Sequence, residues 1–118
     1  MGTSLLALAL LLFAGALAAV GIVGLGERLP QNRWIGLRVA SLRTSQEAWR
    51  AGHRAAGASL VTAAGPALLL AVALVARPPA AVEDWLLIYV AVGLVSGGLI
   101  ALASRQADRA AREVTSRD

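Results

Sequence analysis

Charge is absent from three long stretches of this chain and crowded into what lies between them. Residues 1–26 contain no Asp, Glu, Lys, Arg or His, and neither do residues 55–76 or 85–104. A helix rises about 1.5 Å per residue, so the second and third stretches each just cross the roughly 30 Å hydrocarbon core of a bilayer, and the first outspans it. The pattern predicts an all-α membrane protein with three transmembrane helices at about 3–26, 55–76 and 85–104. A polar loop, 27–54, joins the first two spans, and a tail, 105–118, follows the third. The connection between the last two contains Arg77-Pro78-Pro79-Ala80, whose paired prolines favour a stiff, extended turn. The first stretch also admits a reading as a secretory signal peptide, with small residues at Ala16-Leu17-Ala18. Its opening Met1-Gly2-Thr3-Ser4 lacks the basic residues such a peptide needs, which favours a retained helix.

Composition agrees with the pattern: 58% hydrophobic residues and only 15% charged exclude an ordinary soluble domain of 118 residues. The charge is also unevenly shared. Arginines 28, 33, 38, 43, 50 and 54 lie in the loop and 105, 109, 112 and 117 in the tail, whereas the outer turn has Arg77 alone. The positive-inside rule therefore puts loop and tail in the cytoplasm, the C-terminus with them and the N-terminus outside. All the basic residues are Arg, a bias that reflects genome composition, so the high isoelectric point is not read as nucleic-acid binding. The local excess suits anionic lipid head groups instead. Cysteine is missing, which removes disulfides and thiolate metal sites.

Within the spans the informative residues are small ones. Gly15, Ala19, Gly21, Gly24 and Gly26 give the first span a face on which another backbone can come close. Pro66 in the second removes the donor for the Thr62 carbonyl, so a local bend is expected, with Thr62 or a neighbouring helix satisfying the freed group. Gly93-Leu94-Val95-Ser96-Gly97 in the third is a small-x-x-x-small pattern, so Gly93 and Gly97 are expected against another helix, in this chain or a second copy. Glu83 and Asp84 suit the positive end of the third helix, and Trp85 and Tyr89 suit an interfacial aromatic belt. Asp108 and Arg112 continue a helical charge pattern into the tail.

The loop alone mixes charge, aromatics and glycine. Pro30 ends the first helical segment, and Thr44-Ser45-Gln46-Glu47 reads as a capping box in which the Thr44 hydroxyl accepts from the Glu47 amide. It opens a short amphipathic helix near Ser45. On it Trp49 and His53 lie four apart, with Trp49 expected to insert at the interface and Arg50 and Arg54 to face phosphate or water. Singly, Asn32 reads as a backbone cap, Gly36 as a turn, Arg38 as a phosphate ligand and His53 as a hydrogen-bonded helix residue. Catalysis finds no support: there is one His, no Cys, no acid inside a span, and Glu47 and His53 are six apart on different helix faces. No phosphate-binding loop or nucleophile elbow is present. No enzyme activity, metal or cofactor is expected.

Asn32-x-x-x-Gly36-x-Arg38, then Ser45-x-Glu47-x-Trp49, then His53 and Gly57, resemble the signature of the SdpI/YfhL family of bacterial membrane proteins. The resemblance covers about Pro30 to Gly57, with one span before and two after. Val39-Ala40 stands where family members often carry Thr-Pro. The resemblance implies a plasma-membrane protein acting by binding: immunity against a secreted peptide toxin, joined to membrane signalling through a sequestered cytoplasmic regulator. Asn32, Gly36, Arg38, Ser45, Trp49, His53 and Gly57 would then form a binding motif. The alternative is a small accessory subunit that packs against a larger membrane complex through its glycine faces and the loop; the expected partners are lipids and another membrane protein or further copies of this chain. A transporter fragment is less favoured, because the spans carry too few polar residues. The arginine asymmetry sets the first test. Reporter fusions after Arg54 and Asp118 should read cytoplasmic and one at Pro79 external; an external signal after Arg54 inverts the topology.

Overall fold

The computed structural model describes residues 2–117; Met1 of the first uncharged stretch and Asp118 of the tail lie outside the described residues. Three helices carry the fold, α1 (Gly2–Leu25), α2 (Gln46–Ala76) and α3 (Leu86–Ser116), with 3₁₀ turns at Ala40–Thr44 and Val82–Trp85. All three are long and apolar enough to cross a membrane, and no strand occurs among the described residues. The expected separate loop helix is instead the first part of α2. Nothing between Gln46 and Ala55 breaks a helix, so the helix that carries the second span runs without interruption for 31 residues, roughly 46 Å, and starts well before the uncharged stretch 55–76. α3 absorbs most of the tail in the same way. The molecule's long axis, 58 Å, therefore exceeds the hydrocarbon core by nearly twofold, and its arginine-rich end stands outside it.

α2 lies between α1 and α3, each of which packs extensively on it and little on the other. Small residues make this possible. α1 buries Ala7, Ala14, Gly21 and Gly24, a seam that begins at seven-residue spacing, the repeat of left-handed helix pairs. Where that seam meets Gly57 the backbones touch: a Cβ on Gly21 would lie 2.8 Å from the Gly57 carbonyl oxygen, and one on Gly57 would lie 2.7 Å from that of Gly21. One turn on, a Cβ on Gly24 would lie 2.8 Å from the His53 carbonyl oxygen. α3 buries Ser96, Ala103, Ala107 and Ala111. Polar side chains add hydrogen bonds across this pair: Ser96 Oγ donates to the Ala63 carbonyl at 3.1 Å, and Ser59 Oγ to Gln106 Oε1 at 2.7 Å.

Several sequence expectations are corrected. Gly93 and Gly97 are exposed and meet nothing within 4 Å, so the intrachain contact expected of them is not made. The reason is rotational: α3 turns the Ser96–Ala103 edge to α2, which leaves both glycines lining an apolar cavity of about 390 Å³ with Leu6, Leu10, Phe13 and Tyr89. Gly15 likewise meets nothing, and Gly26 has no close neighbour on another helix. Pro66 brings no such correction: α2 continues through it, and the Thr62 hydroxyl donates to the Ala58 carbonyl at 2.8 Å. Trp85 and Tyr89 pack inward beside Ala7, Leu70 and Leu74 rather than forming only a belt.

These contacts separate two kinds of glycine. Gly57→Val should lower stability in detergent by about 1–3 kcal/mol, because a side chain forces α1 away from α2. Gly93→Ala should be neutral or stabilising by up to about 1 kcal/mol, since it restricts the unfolded chain and meets no obstacle. Circular-dichroism melts of the two variants test the assignment, and equal losses would refute it.

Candidate functional site: the loop platform

The loop begins with a tight reversal. Glu27 adopts φ 57°, the Arg28 N–H donates to the Val23 carbonyl at 3.0 Å and the Glu27 N–H to that of Gly24 at 3.0 Å. This is a Schellman closure of α1 with Glu27, rather than the neighbouring Gly26, in the left-handed position. The chain then folds against the ends of α2 and α3 through three leucines. Leu29, Leu37 and Leu42 are buried in one cluster with Trp49, Ala56, Ala103 and Ala107. Each such leucine contributes about 1.5–3 kcal/mol by leaving water.

Trp49 and His53 stand at the centre of that cluster, fully buried, with ring centroids 4.3 Å apart and planes tilted by 43°. Trp49 Nε1 donates to the Leu29 carbonyl at 3.1 Å. His53 spends both ring nitrogens on backbone: Nδ1–H donates to the Trp49 carbonyl at 2.9 Å, and Nε2 accepts from the Leu37 N–H at 2.9 Å. The second bond requires a lone pair, so these partners assign a neutral ring with its proton on Nδ1. Gly36 makes the approach possible. Its φ is +120°, and a Cβ there would lie 2.7 Å from His53 Nε2 and 3.0 Å from the Trp49 ring.

Asn32 organises the loop tip. Its Oδ1 accepts from the Trp34 and Ile35 N–H groups at 2.8 and 2.7 Å, and its Nδ2 donates to the Pro30 carbonyl at 2.8 Å. Arg38 Nη1 donates to the Asn32 carbonyl at 3.3 Å, and its side chain stays exposed. Ser45 is the N-cap of α2, accepting from the Ala48 N–H at 3.0 Å, while the Thr44 hydroxyl donates to the Ser41 carbonyl. The capping position is thus one residue later than the sequence suggested. Ser41 Oγ donates to Asp108 Oδ1, and Arg112 Nε reaches the same carboxylate at 2.9 Å. These two partners hold the Asp108 carboxyl below its ordinary range.

The motif residues therefore separate into groups. Gly36, Trp49 and His53 meet in the interior; Asn32 and Arg38 are joined at the loop surface; Ser45 caps α2; Gly57 belongs to the α1–α2 crossing. Trp49 does not insert at the interface, because it is the largest fully buried side chain. Leu37, Leu42, Gly52 and the Ser41–Asp108 bond were not anticipated. Ala103, Ala107 and Ala111 at four-residue spacing were the available signal for the α3 half of this seat. Beside the platform lies an open groove of about 880 Å³ lined by Glu27, Glu47, Arg50, Arg54 and Arg117 among others. Its Arg54–Glu27 pair, 3.5 Å apart and exposed, contributes little to stability.

The profile of the SdpI/YfhL protein family matches residues 28–104, well over half of the chain. The chain belongs to the SdpI/YfhL family. No curated protein and no solved structure matches it. The matched segment opens directly after the α1 reversal and holds the whole platform loop, all of α2 and the apolar part of α3, so the SdpI/YfhL match includes every motif residue named above.

His53 precedes the uncharged membrane segment 55–76, next to the exposed Arg54. Burial, with a further contribution from Arg38, lowers its pKa below the ordinary imidazole value, against the raising effect of the Trp49 carbonyl. A depressed folded value means that stability is fully present above the unfolded pKa of about 6.5 and is lost as pH falls below it. Melting temperature should fall from pH 7.5 to 5.5 in the wild type and stay flatter in His53→Gln, whose amide oxygen keeps an acceptor for Leu37. Gly36→Ala should cost about 1–3 kcal/mol at either pH, through backbone strain and the close approach of the new methyl to His53 Nε2 and the Trp49 ring. Identical pH profiles for wild type and His53→Gln would refute the neutral-ring assignment.

Proposed function

We propose that this SdpI/YfhL protein acts by binding, as an immunity or membrane-signalling protein of the bacterial plasma membrane, with its arginine-rich end in the cytoplasm. The observation that carries the reading is the use of His53. Its two nitrogens are committed to the Trp49 carbonyl and the Leu37 amide, so the ring builds a platform instead of moving protons. What that platform offers outward is recognition chemistry: the Arg38 guanidinium braced on Asn32, and the charged groove of Arg50, Arg54 and Arg117 beside it. Such a surface suits an acidic cytoplasmic regulator, while the apolar faces of the helices suit a peptide toxin within the bilayer.

A second reading, an accessory subunit of a larger membrane complex, draws on the cavity that Gly93 and Gly97 line, which has room against a foreign helix. The two part company in a purification from mild detergent. A stoichiometric larger partner favours the subunit, and protein free of one favours immunity or signalling.

Arg38 should act through its planar fork, so Arg38→Lys is expected to impair toxin resistance or regulator capture although charge is kept. Arg109→Lys in α3 should be silent. The assay compares variants at equal membrane levels, and full activity of Arg38→Lys removes Arg38 from the recognition surface.

A further inference from the structure

We infer that the Trp34–Ile35 tip of the loop is an anionic-lipid anchor: the indole and the isoleucine enter the membrane interface at the arginine-rich end, and Arg33 beside them takes lipid phosphate. The inference depends on α1, α2 and α3 crossing the membrane and not on the immunity or signalling reading.

Exposure comes first. Trp34 is 84% exposed and Ile35 55%, in a loop whose other large apolar residues, Leu29, Leu37 and Leu42, are buried. Two large hydrophobic side chains presented side by side to water are costly unless something apolar receives them. The presentation is also built. Asn32 holds the backbone N–H groups of both residues, so the tip keeps its form without packing of its own side chains. Gly36, at φ +120°, then lets the chain turn so that Leu37 is buried directly after two exposed residues.

Height along the membrane normal comes from the neighbouring residues. Gly36 and Leu37 share an apolar cavity of about 240 Å³ with Phe13, Leu17, Leu60 and Ile100, all from the uncharged spans. Leu60 and Ile100 lie within two turns of the charged ends of their stretches, so we place the tip at the membrane interface, the depth at which indole rings are enriched.

Charge selects the lipid. Arg33 is exposed and pairs with no carboxylate among the described residues, whereas Glu27 is paired with Arg54 and Asp108 with Arg112. Guanidinium groups beside an inserted aromatic suit phosphate, and each one near an anionic surface is worth about a fivefold preference.

The chain has no cysteine, so one label can be placed cleanly. Full-length Ile35→Cys and Gln46→Cys, each carrying an environment-sensitive fluorophore, are compared in nanodiscs of phosphatidylcholine with and without phosphatidylglycerol. Position 35 should be quenched several-fold more than position 46 by head-group nitroxides. Nitroxide on phosphatidylglycerol should quench it more than nitroxide on phosphatidylcholine, and Arg33→Gln should reduce that preference. Should the label disturb the loop, Trp34→Phe replaces it: the variant must lose a component of intrinsic fluorescence that brominated phosphatidylglycerol quenches in the wild type. Aqueous iodide reaching position 35 as freely as position 46 overturns the anchor and leaves a protein partner to cover the tip. Equal quenching by the two lipids overturns the anionic preference.

Discussion

One neutral imidazole joins the loop to the bundle. His53 accepts a hydrogen bond from the Leu37 N–H on one nitrogen and donates one to the Trp49 carbonyl from the other, in the buried interior. Losing the acceptor would strand a buried backbone N–H, a penalty of about 1–3 kcal/mol. Much of the loop's design follows from that bond. Gly36 lacks a side chain where the ring approaches, Trp49 covers the ring's face, and the indole nitrogen fixes Leu29 at the start of the same segment.

The spans are held by a different principle. Lipid surrounds apolar side chains as readily as other helices do, so close backbone approach and a few polar contacts decide which faces meet. α2 supplies both faces, offering Gly57 to the α1 seam and Ala63 with Ser59 to α3. The exposed leucines and valines of the outer surfaces, such as Leu12, Leu69 and Leu94, need no protein partner in that solvent.

The spans and the polar loop were legible because charge marks a membrane boundary almost without ambiguity. Helix ends were not, since Gln46–Arg54 and Arg105–Ser116 are polar yet continue good helices, and charge says where lipid stops rather than where a helix stops. Small-residue spacing put Gly21 and Gly24 on a contact face, and they meet Gly57 and His53 of α2; it also named Gly93 and Gly97, whose face meets no helix of this chain, because spacing fixes a face without fixing what it faces. Trp49 moved from the interface to the interior for a related reason. A tryptophan between arginines looks interfacial in sequence, and only the approach of Gly36 and Leu29 shows that Trp49 is interior. Thr44 and Ser45 offered equivalent hydroxyls, and backbone geometry chose the second.

The seat of Leu42 has a consequence for how the chain is made. Its walls are Gly52 of α2 and the Ala107 stretch of α3, and the Ser41 hydroxyl beside it needs Asp108. A ribosome delivers α1, the loop and α2 well before those α3 residues. Until α3 arrives, the loop has its His53 bond available but only part of its apolar seat. Final closure of the loop is therefore tied to the packing of the last helix, so that the two are completed together.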